Sequence, residues 1–339
     1  MTTAVRELAL IESLTRGLAR SPRQTNGLQE SDAELLSLGT DTTLAVTTDT
    51  VAEEIAAGLY ADPWLAGWMA VMVNFSDIAA VGAEPLGIVM AETFPAGLDA
   101  ATLSRIQSGI NDACRTCGTY VLGGDTNTGD ALQLTGTALG LISSGKPLTR
   151  KGIRPGDLVY STGPLGGGNA FAALVLAHAA VVVPYKPIAR VREGSALRGV
   201  ATACMDTSDG LFATLDQLAR VNGVGFALDH GWETHLDPAA VACGKATGLS
   251  SWLFLAGPHG EFELIFAVPG NDAAAHGNEL VVAGTVCQRL GRATADKGIT
   301  IPGIGSFTPD HRAAIRNLDP PGKGNLSAYI AEMLNSTRQ

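Results

Sequence analysis

The sequence predicts a two-domain α/β (α+β) protein. Three observations carry that expectation. The chain has 339 residues, about two domains' worth. Short apolar strands alternate with amphipathic helices in both halves, the pattern of layered α/β folds. Glycine–acid segments recur where those strands give way to loops.

Taken in order, Val5, Leu8, Ile11, Leu14 and Leu18 recur at three- and four-residue steps, which predicts a helix over 4–19. Residues 20–42 are polar and read as a flexible segment. Leu44 to Thr48 is a short strand. Asp62-Pro63 reads as an N-cap and first-turn proline, opening a helix over 63–81 that stops at Gly82. A strand over 86–92 follows, then a helix capped by Asp99 and ended by Gly118. Residues 119–122 are a strand that runs into a Gly123-Gly124-Asp125-Thr126 loop, and 132–142 a longer strand. The texture changes near 145–150, which sets an N-terminal domain at 1–147 and a C-terminal domain at 148–310. In the second half, strands are expected at 158–161, 226–229 and 261–268. Helices are expected at 169–180, 192–204 and 211–221. The stretch beyond 306 reads as loose, apart from residues 326–335, with 311–339 as a tail.

Composition excludes several functions. Net charge is −10 with no Lys/Arg block, which argues against nucleic-acid binding. No run of about 18 apolar residues suggests a membrane span, and the N-terminus lacks a signal-peptide core. Five scattered cysteines make no disulfide framework. Cys114 and Cys117 form a lone C-x-x-C within a helical pattern and read as incidental. A cytoplasmic protein is expected. The outlier is glycine, at 41 residues against about 24 at the usual ~7%.

Those glycines flank acids. The acid-bearing segments are Ser31-Asp32, Thr48-Asp49-Thr50, Asn74-Phe75-Ser76-Asp77, Gly124-Asp125-Thr126 and Asp206-Thr207-Ser208-Asp209-Gly210. Asp77 lies in an apolar helix, where an unpaired carboxylate is costly. Asn74 shares its face, so both suit one polar site; a surface stripe or an acid paired with arginine are the plainer readings. Asp49 and Asp125 alone read as turn residues at strand ends. With Asp77 they suggest a hard cation, since magnesium favours a few carboxylates plus phosphate oxygens. No His/Cys set has zinc spacing. The glycine loop Thr162–Asn169 opens a helix and suits phosphate, but matches neither a Walker A loop nor a dinucleotide fingerprint.

In this order, the segments resemble the thiamine-monophosphate kinase family, within the aminoimidazole ribonucleotide synthetase-like (PurM-like) superfamily. The carrying residues are Thr47–Thr50, Asn74–Pro85, Gly123–Thr126, Leu148–Arg150 with Gly152–Asp157, Ser161–Gly163 with Leu165-Gly166, and Met205–Leu211. The resemblance spans about 30–305. It implies a homodimer whose N-terminal sheets form a shared barrel, and ATP with magnesium in a groove between domains. It implies Asp32, Asp49, Asp77, Asp125 and Asp209 as metal ligands. Thr48, Gly124, Thr126, Arg150 and Ser208 would contact the nucleotide, with Arg150 and Asp209 at the reaction. Near the acceptor it points to Glu53, His259 and Glu261. The implied activity is ATP-dependent phosphorylation of thiamine monophosphate to the diphosphate.

Three segments depart from the family pattern. Its Gly-Asp-Asp loop is Glu30-Ser31-Asp32 here, one acid fewer unless Glu30 substitutes. Its His-Phe pair after the Thr-Asp-Thr loop is missing from Val51–Ile55. Its Gly-Gly-Glu-Asp-Tyr-Glu-Leu is Gly257-Pro258-His259-Gly260-Glu261-Phe262-Glu263-Leu264. All three lie at or beside acceptor positions. Another small-molecule kinase, an ATP-dependent synthetase in which His259 or Glu261 moves a proton, and a nucleotide-binding protein without turnover are the alternatives.

Overall fold

Two mixed sheets organise the molecule. A computed structural model describes residues 4–180, 183–270, 278–321 and 324–338. The N-terminal sheet runs β1 (Glu34–Gly39), β2 (Thr42–Thr50), β5 (Gln133–Ile142), β3 (Glu84–Pro95), β4 (Val121–Gly129). Its pairs are antiparallel except β3 with β4. The β1 strand falls in the stretch expected to be flexible. The Gly123–Thr126 segment is no loop but part of strand β4. Gly124 permits this, because a Cβ there would lie 2.0 Å from the Met90 carbonyl oxygen.

One helix, α3 (Pro63–Ala80), lies between the two sheets. The Asp62 carboxylate accepts from Trp64 N–H as its cap, with Pro63 in the first turn. It packs on β2 and β5 on one side and on β7 (Ala203–Asp206) on the other, so Ala66 to Ser76 are buried all round. Against it lies α4 (Ala100–Thr116), and the two backbones nearly touch at glycines. A Cβ at Gly109 would sit 2.0 Å from Trp64 O.

The C-terminal sheet runs β13 (Gly305–Phe307), β12 (Ile299–Ile301), β8 (Gly225–Leu228), β11 (Thr285–Thr294), β6 (Leu158–Ser161), β9 (Leu264–Val268), β7, with β10 (Glu279–Val282) on β11. Helices α5 (Gly167–Leu176) and α7 (Gly210–Asn222) belong to this half. The expected helix over 192–204 is only seven residues, Val191–Leu197, and then the chain becomes β7. All four β7 residues are buried. A strand buried on both faces shows no alternation and reads like a helix segment.

The C-terminal stretch is not loose. Helices Pro309–Arg316 and Leu326–Asn335 dock on the second core. Arg312 is buried and donates to Asp216 Oδ1 at 2.6 Å. Phe307 stacks on Trp252 at 4.8 Å, and Trp252 Nε1–H donates to Met333 O. Polar composition hid this, since a buried arginine fully paired with a carboxylate belongs to the core.

Candidate functional site

The site forms where β2 and β7 end on either side of α3. At the end of β2, Asp49 N–H donates to Asn74 Oδ1 at 3.0 Å, and Asn74 Nδ2 donates back to Asp49 O. The amide of α3 thus fixes the strand end. One turn on, the Asp77 carboxylate accepts from the Thr47 hydroxyl at 2.6 Å. Asp206, the last residue of β7, accepts from Ser76 Oγ at 2.5 Å and from Ser208 Oγ at 3.2 Å. The loop before β1 adds Asp32, held by Arg150 Nη2 at 2.9 Å.

Ligand atoms of Asp32, Asp77 and Asp206 all lie within 4.8 Å of one another. Three carboxylates from segments 45 or more residues apart in the chain thus converge on one point. Burial raises Asp77 well above the usual carboxylate range, and the negative charges of Asp206 and Asp32 raise it further. Burial and Asp32 push Asp206 up to about 7. Burial works against the charge of Arg150, but Asp32 more than compensates and holds its pKa above normal. Among the described residues, nothing meets Asp32 Oδ2 or Arg150 Nε, both buried. An all-oxygen donor set with an unpaired lone pair and mutual repulsion fits a hard divalent cation.

A cavity of about 460 Å³ adjoins this point, lined by Asp49, Glu53, Glu54, Tyr60, Arg150, Ser208, Asp209, His259 and Arg316 among others. A second, of about 630 Å³, continues from it past Glu53, Glu54, Asp209 and Arg316. Asp209 is open to the cavity; its surroundings push it up to about 6, burial first and then Glu7. Glu7 comes from the N-terminal helix Arg6–Thr15, which ties to Arg316 at 3.2 Å. Aromatic rings form another part of the wall. The Tyr60 hydroxyl lies 3.5 Å from His259 Nε2, and Tyr185 packs on both rings. Burial takes His259 down to about 4, so the imidazole is neutral.

The residues singled out in the sequence separate into groups. Asp32 and Asp77 meet in the carboxylate cluster, whereas Asp49 and Asp209 line the cavity beside it with Arg150, Ser208, Glu53 and His259. Asp125, Gly124 and Thr126 lie apart on the exposed strand β4, where Asp125 accepts from Asn127 at 2.7 Å. Thr48 donates to Gly136 O across the sheet; Thr47 is the threonine that reaches an acid. Glu261 is not among the cavity-lining residues. Its carboxyl oxygen accepts from Gly166 N–H at 2.7 Å, so the glycine loop ahead of α5 is capped by an internal side chain. Burial pushes Glu261 up to about 8. Glu30 is engaged away from the cluster: Lys151 Nζ at 2.6 Å and Gly27 N–H at 2.8 Å occupy its carboxylate.

Sequence reasoning named Asp206 and Glu54 only within their segments, with no role, and passed over Tyr60, Tyr185 and Arg316. Asp206 was legible as the first acid of Asp206-Thr207-Ser208-Asp209, had β7 been recognised. The others belong to no motif.

A groove with converging carboxylates lies between two mixed α/β units. Residues 30–142 match the family model for the AIR synthase related protein, N-terminal domain. The thiamine-monophosphate kinase of Escherichia coli is 31% identical over 279 residues, 78% of this chain and 83% of the relative. That of Methanospirillum hungatei is 38% identical over 207 residues, 60% of this chain and 68% of the relative. A solved structure of AaThiL complexed with AMPPCP and TMP superposes with a TM-score of 0.74 at 23% identity, covering 89% of this chain and 96% of that one. The chain belongs to the thiamine-monophosphate kinase family.

Proposed function

We propose that this protein transfers the γ-phosphoryl group of ATP to thiamine monophosphate, giving thiamine diphosphate and ADP, with magnesium. The carrying observation is the convergence of Asp32, Asp77 and Asp206 beside Arg150 in a chain of this family. The AaThiL neighbour held an ATP analogue and TMP together, which supports the pairing of substrates.

An oxygen of the acceptor phosphate attacks the γ-phosphorus as the bond to the β–γ bridging oxygen breaks. That oxygen is already an anion near neutral pH, so no general base is required. His259, lowered by burial to about 4 and held against Tyr60, is a weak base. Asp32, Asp77 and Asp206 would hold magnesium, with Asp49 and Asp209 at its margin. The bound cation supplies charge screening for two repelling phosphates. Arg150, fixed by Asp32, would bring its guanidinium charge to a phosphate oxygen. Asn74 and Ser76 position Asp49 and Asp206, so the catalysis is positioning and charge stabilisation.

The working unit in this reading is a homodimer. Strand β4 is exposed along almost its whole length, and Tyr120, Leu122, Leu86 and Val89 are 75%, 55%, 45% and 39% exposed. An open apolar sheet edge is a pairing surface, and Asp125 and Thr126 would reach the shared groove from it. A reducing cytoplasm suits the five unpaired cysteines; among the described residues no helix is long and apolar enough to cross a membrane.

The test is incubation with magnesium, ATP and thiamine monophosphate, followed by mass spectrometry. Thiamine diphosphate with ADP, lost on chelation, is expected. ATP bound without diphosphate formation would contradict the reading.

A further inference from the structure

The cavity beside the carboxylate cluster carries buried apolar residues in its wall. Val73, Met205 and Phe262 line it with Asp49, Arg150, Ser208 and Asp209. Val73 and Met205 directly precede Asn74 and Asp206 in the chain, so these apolar groups adjoin the polar site. Phe262 packs in the same buried cluster as Val73. Its backbone is strained: φ is +61°, in the left-handed region that a residue with a Cβ seldom adopts. The chain is pinned on both sides of it. Before it, the Glu261 carboxyl accepts from Gly166 N–H at 2.7 Å. After it, Glu263 N–H donates to Thr207 Oγ1 at 3.0 Å, and Thr207 N–H donates to Glu263 O at 2.8 Å. The Glu263 carboxylate in turn accepts from Thr162 Oγ1 at 2.6 Å and Arg190 Nε at 2.7 Å. Such strain persists only where the surroundings over-determine it, and it concentrates at functional sites. Glycine would take this backbone freely, so the ring is what the strained segment keeps in the cavity wall.

A phosphoryl donor beside charged groups faces a competing nucleophile. Water attacking the γ-phosphorus breaks the same bond to the β–γ bridging oxygen, gives ADP and inorganic phosphate, and loses its proton to solvent. Positioned cations and arginine stabilise that transition state as well as the productive one, so charge alone does not choose between them. Keeping water out of the site does. Resting on the phosphoryl-transfer reading above, we infer that Phe262 is a specificity-determining residue: with Val73 and Met205 it denies water a place beside the γ-phosphoryl group, so that the group passes to the acceptor phosphate. A hydrocarbon ring offers water no hydrogen bond, and a site for ordered water needs two or more polar partners. Trading the ring for hydrogen opens space next to Asp49, Ser208 and Asp209, which supply those partners.

The experiment measures ADP release from magnesium ATP with and without thiamine monophosphate, and the thiamine diphosphate formed per ADP. It uses the wild type, Phe262→Gly, Phe262→Leu and Val73→Ala. The wild type is expected to form one diphosphate per ADP and to release little ADP without acceptor. Phe262→Gly keeps the left-handed backbone without strain and removes only the ring. It raises acceptor-free ADP release by about tenfold or more, the scale of a lost hydrophobic contact, and lowers the diphosphate-to-ADP ratio. Val73→Ala opens the same wall from α3 with no backbone change, and moves both readings the same way by less. Phe262→Leu keeps apolar bulk and stays within about twofold of the wild type. One diphosphate per ADP in both Phe262→Gly and Val73→Ala overturns the assignment. So does a loss of turnover with a lowered melting temperature and no acceptor-free ADP, which marks a residue of the core alone. If Phe262→Gly does not fold, Val73→Ala decides. Failure of the wild type to make thiamine diphosphate overturns the underlying reading instead, and is recognised without any variant.

Discussion

The two sides of the groove, proposed above to serve the phosphoryl chemistry and the acceptor, are built in different ways. On the phosphoryl side, short polar residues at strand and helix positions hold one another: Thr47 on Asp77, Ser76 on Asp206, Asn74 on Asp49. Each acid is placed by a neighbour whose backbone lies in regular structure. On the side proposed for the acceptor, Tyr60, His259 and Arg316 arrive from three separate segments, and the Tyr60 hydroxyl meets His259 only at 3.5 Å. The first side is preorganised for a cation and phosphates. The second is a wall assembled from side chains distant in the chain. Charge chemistry demands rigid placement, whereas recognition can leave part of the pairing to the ligand.

The sharpest way to break this contrast is Asp77→Asn. Removing one of three converging charges should lower kcat by about 10³-fold, the scale of losing a preorganised electrostatic contact. The fold should be kept, because Asn still accepts from Thr47. Wild-type turnover with an unchanged melting curve would contradict the cluster's role. Arg150→Lys comes next: it keeps the charge but loses the planar fork, and kcat/KM should fall by about tenfold. An equal rise in both KM values with kcat intact would place Arg150 in binding alone.

A pH experiment probes a carboxylate outside the groove. Glu261 titrates near 8 when folded because burial disfavours its charge; unfolded, it returns to the usual range near 4.5. The folded state then holds a proton that the unfolded state has released. Its contribution to stability is complete below the unfolded pKa and is lost as pH rises through about 8. Glu261→Gln keeps an acceptor for Gly166 and should flatten the fall of melting temperature between pH 6 and 8. A gain of about 2–4 °C at pH 8 corresponds to roughly 1 kcal/mol in a domain of moderate size. An identical slope in variant and wild type would contradict the assignment. The smallest effect belongs to Glu30→Gln. Its pair with Lys151 is largely exposed, so stability should move by less than about 1 kcal/mol and turnover should not change. A lowered magnesium affinity would show instead that Glu30 replaces the missing loop acid.

How much was legible in the sequence follows the same division. Asp32 and Asp77 were readable because acids beside glycine, threonine or an apolar helix demand an explanation. Capping residues Asp62 and Asp99 fixed the starts of α3 and α4. Asp206 was obscured because buried β7 lacks periodicity, and its last residue was taken to follow a helix. Of the two docked C-terminal helices, 326–335 was set apart from the loose stretch, whereas Pro309–Arg316 was hidden because its burial depends on the distant Asp216. Tyr60, Tyr185 and Glu54 had no local signature, since only tertiary packing brings them to one cavity. The Glu261–Gly166 bond turned a loop that looked suited to phosphate into an internally capped helix start, a pairing 95 residues apart.

The most direct test of the central claim is manganese binding, followed by electron paramagnetic resonance, in wild type and Asp206→Asn, with thiamine diphosphate formation measured on the same samples. The account predicts that the variant folds, binds manganese about tenfold or more weakly, and loses most turnover. A variant that binds manganese and turns over as the wild type does would show that Asp32, Asp77 and Asp206 are not the metal centre.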